Sequence, residues 1–187
     1  MADAPAAPYP VELEGDAALR DGTRVRIRPI RPDDAPRLVE AYDHLSRYSA
    51  YQRFFTVMKR LPPDWARVFA NVDYRGRLAL IAEDAATGEL IAVARYEVTS
   101  QDDTAEIAFT VLDAWQNRGL GTVLLDRILA AGEARGIRRF LAYVLADNRR
   151  MLDLLVRNTD VLERRTESGL VTLVARRRVP EVRPAPR

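Results

Sequence analysis

The sequence predicts an α/β (α+β) chain: a mixed central sheet of about six to seven strands flanked by helices on both faces. Three observations carry this. Short apolar or alternating runs recur and are punctuated by the turn signals Asp21-Gly22, Ala86-Thr87-Gly88 and Ser168-Gly169. Over 104–145 an apolar strand, a long amphipathic helix and a second apolar strand follow one another, the pattern of a right-handed parallel crossover. A length of 187 residues with 48% hydrophobic and 30% charged composition suits one domain with a substantial core.

Residues 1–23, rich in Ala, Pro and Gly, read as mostly a flexible tail, and 179–187, with three prolines, as another; the domain is then 24–178. Arg24 to Pro29 alternates charged and apolar residues, as a half-buried strand does. Asp33 or Asp34 caps a helix with Leu38, Val39 and Tyr42 on its apolar face, and Pro62-Pro63-Asp64 opens a second one through Trp65, Val68 and Phe69. Leu78 to Ala82 and Glu89 to Val98 form a hairpin, and Thr104 to Leu112 is the next strand. Gly119 to Arg135 is an amphipathic helix with Leu120, Val123, Leu124, Ile128 and Leu129 on one side, stopped by Gly136. Arg139 to Leu145 is an apolar strand. Asn148 to Arg157 is a short helix carrying Met151, Leu152, Leu155 and Val156, and Val161 to Arg165 with Leu170 to Ala175 forms the last hairpin.

Composition removes several function classes. Lys+Arg 29 against Asp+Glu 27 leaves a net charge of +2, too even for a chain that coats nucleic acid. The absence of cysteine excludes a disulfide scaffold, a thiolate zinc site and an acyl-cysteine intermediate. A single histidine, His44, excludes a His-rich site, so no metal is expected. No run approaches the ~18 apolar residues of a membrane span. Met1 to Pro10 lacks the basic start and apolar stretch of a signal peptide, so the cytoplasm is expected.

The chemistry concentrates in Ala105 to Thr122, AEIAFTVLDAWQNRGLGT. A strand runs through a short loop into a helix that begins at Gly119-Leu120-Gly121-Thr122. Helix-start amides are unpaired and sit at the positive end of the helix dipole, and glycine lets a phosphate approach them. Arg118 adds a charged donor. There is no Gly-Lys-Ser/Thr, so this is not a P-loop, and the glycine spacing is not that of a dinucleotide fold.

The spacing Gln116-Asn117-Arg118-Gly119-Leu120-Gly121 resembles the Gln/Arg-x-x-Gly-x-Gly/Ala motif of the GNAT family of N-acetyltransferases, and the resemblance covers roughly 24–176. Leu19 to Pro36, Leu45 to Phe55 and Ala105 to Gly121 resemble one branch, the bacterial protein-lysine acetyltransferase domains. That branch is often fused to a cyclic-nucleotide-binding or acyl-CoA-synthetase-like module. About twenty residues precede the domain here, so no such module is expected in this chain.

The resemblance implies acetyl-CoA as acyl donor and an amine, most readily a protein lysine, as acceptor; the alternatives are acetylation of a small-molecule amine and a non-catalytic acyl-CoA-binding sensor. A lysine amine with a pKa near ~10.4 needs a proton acceptor before it attacks a thioester. Glu106 is placed as that general base; the alternative is a glutamate on a solvent-facing strand. The main chain of Phe109, Thr110 and Val111 would pair with the pantetheine arm, and the amides of Asn117, Arg118, Gly119, Leu120, Gly121 and Thr122 would hold the pyrophosphate. Asn148 matches a family asparagine that contacts the cofactor and is equally a helix N-cap. Arg149, Arg150 and Arg157 either meet the ribose phosphate or form a solvated basic face, and Arg157 is the one singled out for the cofactor. Leu155 stands where many members carry an acidic tyrosine, so the general acid is unassigned, and Tyr143 on the preceding strand reads equally as core.

In related enzymes the region between the first two helices lines the acceptor side. Arg47, Tyr48, Tyr51, Arg53, Phe54 and Phe55 either grip a lysine stem there or pack a helix onto the sheet. Basic residues among aromatics also suit RNA, but charge balance argues against a nucleic-acid partner. His44 reads as a surface residue, and Trp65 and Trp115 as packing residues. Family members are often dimers, and the sequence leaves a homodimer open.

Overall fold

Eight strands form one sheet in a computed structural model that describes residues 7–101 and 103–178. In chain order the elements are β1 (Gly15–Ala18), β2 (Arg24–Pro29), α1 (Ala35–Asp43), α2 (Arg47–Phe54), α3 (Pro63–Ala70), β3 (Arg77–Asp84), β4 (Leu90–Val98), β5 (Thr104–Val111), α4 (Leu120–Glu133), β6 (Arg139–Leu145), α5 (Arg149–Asn158), β7 (Thr159–Glu167) and β8 (Leu170–Arg177). The sheet order is β1-β2-β3-β4-β5-β6-β8-β7, antiparallel throughout except for the β5–β6 pair. The mixed sheet and its parallel crossover match the expectation, with one or two strands more than expected.

The extra strand comes from the stretch read as tail. β1 is tied to α4 by Arg127, whose guanidinium donates to the carbonyls of Gly15 (3.2 Å) and Asp16 (2.9 Å). Just before it, the Tyr9 ring meets Tyr74 edge-on at 5.7 Å and Leu19 is buried. These contacts all lie across the fold, so low local propensity concealed the strand. Residues 1–6 and 179–187, also read as tails, lie outside the described residues.

The helix α2 is a second addition. Its sequence, RYSAYQRF, carries no apolar stripe, but Ser46 caps it by accepting from the Ser49 amide at 3.1 Å. Neither Asp33 nor Asp34 caps α1 through its side chain. Asp34 is instead buried in a bidentate pair with Arg28 (2.8 and 2.7 Å) that also engages Arg37 and Glu83.

The core lies between the sheet and the helices on each face. On one face Phe140 of β6 fills the space beside Gly132 of α4, where an added Cβ would lie 2.8 Å from the ring. On the other, Arg95 of β4 reaches α3 and donates to the Phe69 carbonyl at 2.9 Å. Side chains alternate along strands and register partners share a face. Glu97, Glu106, Ala108 and Leu141 therefore lie on the Arg95 side.

The sheet opens in its middle. β5 stays paired with β4 through Val111, and β6 with β8 through Leu145. Yet β5 and β6 pair only through Thr104–Glu106 with Arg139–Leu141. Beyond Glu106 the two strands diverge and leave a wedge between them.

Candidate active site

The wedge exposes backbone. Leu112 donates its amide to Ile91 of β4, and Thr104 gives its carbonyl to Thr99 on the same side. Even-numbered residues of β5 therefore turn their main chain to β4, and Ile107, Phe109 and Val111 turn theirs into the wedge. The amide of Thr110 is thus directed at β4, which corrects its reading as a main-chain partner for a ligand; only its side chain lines the space.

A cavity of about 480 Å³ occupies the wedge, within the range of ~300–1,000 Å³ usual for ligand sites. Its walls are the strand from Glu106 to Val111, Tyr143 on β6, the loop at Asn117 and Gly119, and the inner side of α5.

The loop between β5 and α4 is shaped for an anion. Asn117 (φ 64°) and Gly119 (φ 92°) both adopt the left-handed conformation, which turns successive amides into a shallow cup. Among the described residues the amides of Arg118, Gly119, Leu120 and Gly121 find no acceptor, as helix starts require. Thr122 differs, because its amide donates to the Gly119 carbonyl at 3.1 Å, leaving only its side chain in the cavity wall. Leu120 is buried, so it offers the loop its amide alone. Asn117 and Gly121 line the cavity as expected.

Arg118 behaves differently from the expectation. Its guanidinium stacks over Trp115 at 4.9 Å and pairs with Asp21 at 3.5 Å, and it does not line the cavity. Arg20 does. Its amide donates to the Arg118 carbonyl at 3.1 Å, and its side chain lies against Gly119, where an added Cβ would meet its Cγ at 3.2 Å. Sequence reasoning missed Arg20 because it sits about a hundred residues away, in the stretch read as tail; the turn pair Asp21-Gly22 beside it was the only local signal.

Gln116 holds the three walls together. Its Nε2 donates to the Val111 carbonyl (3.0 Å) and Ser49 Oγ (3.3 Å), and its Oε1 accepts from Arg150. Asp113 fixes α2 over β5 by accepting from the Ser46 amide (2.9 Å), Ser46 Oγ (2.9 Å) and Ser49 Oγ (2.7 Å). Burial pushes the Asp113 carboxyl up, but these donors outweigh it and hold its pKa below the usual range.

Glu106 reaches the cavity from the last position of β5 that pairs with β6. Glu106 is exposed to the open wedge; partial burial raises its pKa, the cationic Arg53 on α2 partly offsets this, and Glu97 adds to the rise. Such a carboxylate suits proton abstraction.

On the far wall Asn148 lines the cavity while its Oδ1 accepts from the Met151 amide at 3.1 Å, so it is an N-cap and a wall residue at once. Arg150 and Arg157 lie on the exposed rim of the cavity; Arg149 does not line it. Leu155 is fully buried. Tyr143, read by sequence equally as core, is 41% exposed and is the one tyrosine lining the cavity among the described residues. It lies two residues beyond Leu141, on the same face as Glu106. Among the described residues no group of acids or histidines could hold a metal ion, and no helix is long and apolar enough to cross a membrane.

The comparisons with known proteins agree with this geometry. The model of the acetyltransferase (GNAT) family matches residues 40–158. The chain is 32% identical over 151 residues to acetyltransferase Pat of Mycolicibacterium smegmatis, covering 80% of this chain and 43% of that protein, so it spans less than half of that relative's length. It is 31% identical over 147 residues to an acetyltransferase of Pseudomonas aeruginosa, covering 76% of this chain and 79% of the relative. Among solved structures, the GNAT domain of S. lividans PAT superposes with a TM-score of 0.82 at 40% identity, covering 89% of this chain and 98% of that one. The fold also matches an acetyltransferase of Salmonella typhimurium solved with acetyl-CoA, at a TM-score of 0.62 and 18% identity over 81% of this chain and 91% of the other. With its wedge between β5 and β6, its anion-shaped loop and these relatives, the chain belongs to the GNAT family of acetyltransferases.

Proposed function

We propose that this protein moves an acetyl group from acetyl-CoA to a primary amine, with a protein lysine side chain as acceptor, by direct attack in a ternary complex. The observation that carries the reading is the wedge itself, with the main chain of Phe109 and Val111 turned into it and unpaired amides at Arg118–Gly121 closing one end. The amides and Arg20 would take the pyrophosphate, the β5 main chain would pair with the pantetheine arm, and Asn148 and Arg157 would border the remaining nucleotide. A β5 amide facing the wedge would also hold the thioester oxygen as negative charge develops on it.

Glu106 accepts the proton of the attacking amine, directly or through water. The nitrogen–carbon bond forms, the carbon–sulfur bond breaks, and the departing thiolate takes up a proton. With Leu155 in the core, Tyr143 is the tyrosine on the cavity wall that would protonate that thiolate. No cysteine exists to carry the acyl group in between. A protein acceptor is supported by the exposed Tyr48, Tyr51 and Phe55 on and just beyond α2 and by the likeness to the protein-lysine branch.

Calorimetric titration with acetyl-CoA followed by a thiol-release assay over small amines and proteins tests the reading. Micromolar binding and turnover on proteins are expected, and Glu106→Gln should keep the binding and lose about 10²–10⁴-fold in turnover. Turnover confined to small amines would overturn the protein acceptor. An unchanged rate in Glu106→Gln would overturn its role as base.

A further inference from the structure

Two half-buried arginines on the acceptor face have no carboxylate partner. The Arg53 guanidinium lies 4.8 Å from the centroid of Phe54, and that of Arg95 lies 4.8 Å from the centroid of Phe69. The two rings stack at 6.2 Å and 26°. The result is a ladder running from α2 to α3 and β4: guanidinium, ring, ring, guanidinium.

Elsewhere the buried Arg28 holds Asp34 and Glu83 and the half-buried Arg177 holds Asp126 and Glu133, while the half-buried Arg127 donates to two main-chain carbonyls. Arg95 has only the Phe69 carbonyl, and among the described residues no acid lies within 4.0 Å of either Arg53 or Arg95. Burial depresses both to about 10, and Arg53 adds its repulsion to Arg95. Glu106 offsets part of this at Arg53 and Glu97 part of it at Arg95, but neither acid bonds a guanidinium, and an incoming anion in direct contact relieves the remaining desolvation cost.

The ladder borders a small pocket of about 50 Å³ that shares Leu45, Arg53, Ala108 and Thr110 with the main cavity. Along β4, Arg95 precedes Glu97 by two residues on the same face, a step of about 6.6 Å. The face thus offers an acidic rung, Glu97 with Glu106, and beside it a basic one.

We propose that Arg53 and Arg95 form a carboxylate-binding subsite, so that the favoured acceptor presents an acid close to the amine it offers Glu106. This rests on the amine-acceptor reading above. The acid belongs either to an Asp or Glu flanking a target lysine or to the carboxylate of a free amino acid, and the two share one chemistry.

The test uses the intact wild-type protein and matched acceptors. One arm compares lysine peptides flanked by Glu with the same peptides flanked by Gln; the other compares free amino acids with their carboxamides. A charged hydrogen-bonded pair predicts that the acid member wins by about tenfold or more in kcat/KM, chiefly through KM. Arg53→Gln and Arg95→Gln should bring that ratio towards one. A preference in the peptide arm or in the amino-acid arm supports the subsite and names its source. Equal rates in both arms overturn it, as does a ratio that survives both substitutions. The same pairs titrated into the CoA-loaded protein separate the two levels of inference. If no amine is acetylated, the proposed function falls, and the acid-versus-amide binding ratio still decides the subsite.

Discussion

Glu97 and Glu106 stand opposite each other as register partners across β4 and β5. Like charges in facing positions weaken a sheet. The pair lies where the sheet opens, with Arg53 on α2 as the cationic neighbour of Glu106, and Glu97 raises the pKa of Glu106 while Arg53 lowers it.

Opposite shifts of the pH–rate profile follow. With Glu106 as base, activity falls as pH drops through its raised pKa. Glu97→Gln removes a neighbour that raises this value, so the acidic limb of kcat/KM should move to lower pH. Arg53→Gln removes one that lowers it, so the limb should move to higher pH. Coincident limbs in all three proteins would show that Glu106 does not set the acidic side.

The anion loop makes a second comparison available. Arg20 lines the cavity and Arg118 does not, its charge being occupied by Asp21 and Trp115. Arg20→Ala should weaken acetyl-CoA binding about tenfold, the scale of one charged hydrogen bond, while Arg118→Ala should do less. Calorimetry on the two variants reads this directly, and a larger loss with Arg118→Ala would reverse the assignment.

Gly119 predicts a backbone effect. At φ 92° and with Arg20 atoms 3.2–3.5 Å from an added Cβ, an alanine there is strained in the left-handed region and displaces Arg20. Gly119→Ala should cost about 1–2 kcal/mol of stability and also weaken acetyl-CoA binding. Thermal melts with and without acetyl-CoA separate the two effects. Full retention of both would mean the loop has another arrangement open to it.

Stability towards acid should depend on Asp34. Burial raises its pKa, but bonds from Arg28, the Arg31 amide and Arg37 prevail and hold the carboxyl below its usual range. A depressed folded-state pKa contributes stability that is present above the unfolded value of about 3.9 and is lost as pH falls through the folded one. Asp34→Ala leaves Arg28 short of its counter-ion and should cost about 3–5 kcal/mol at neutral pH, with a shallower loss on acidification than wild type. Urea melts between pH 7 and pH 3 would show it; parallel curves would remove Asp34 from the acid response.

The amino-acid sequence determined the elements whose information is local. Periodicity and turn residues gave the strands from β2 to β8 and the helices α1, α3, α4 and α5, and the spacing from Gln116 to Gly121 located the loop and its family. Residues that depend on partners far along the chain were decided by tertiary structure. β1 pairs with β2 and is tied to α4 by Arg127; α2 is placed by Asp113; Arg20 takes the place expected of Arg118 at the loop because its amide meets the Arg118 carbonyl across the fold. The divergence of β5 from β6 has no signature in either strand, since it is a property of how two strands are packed rather than of which residues they contain. The Arg53–Phe54–Phe69–Arg95 ladder was equally invisible, because two side chains stacked from separate elements leave no periodic trace in the order of the residues.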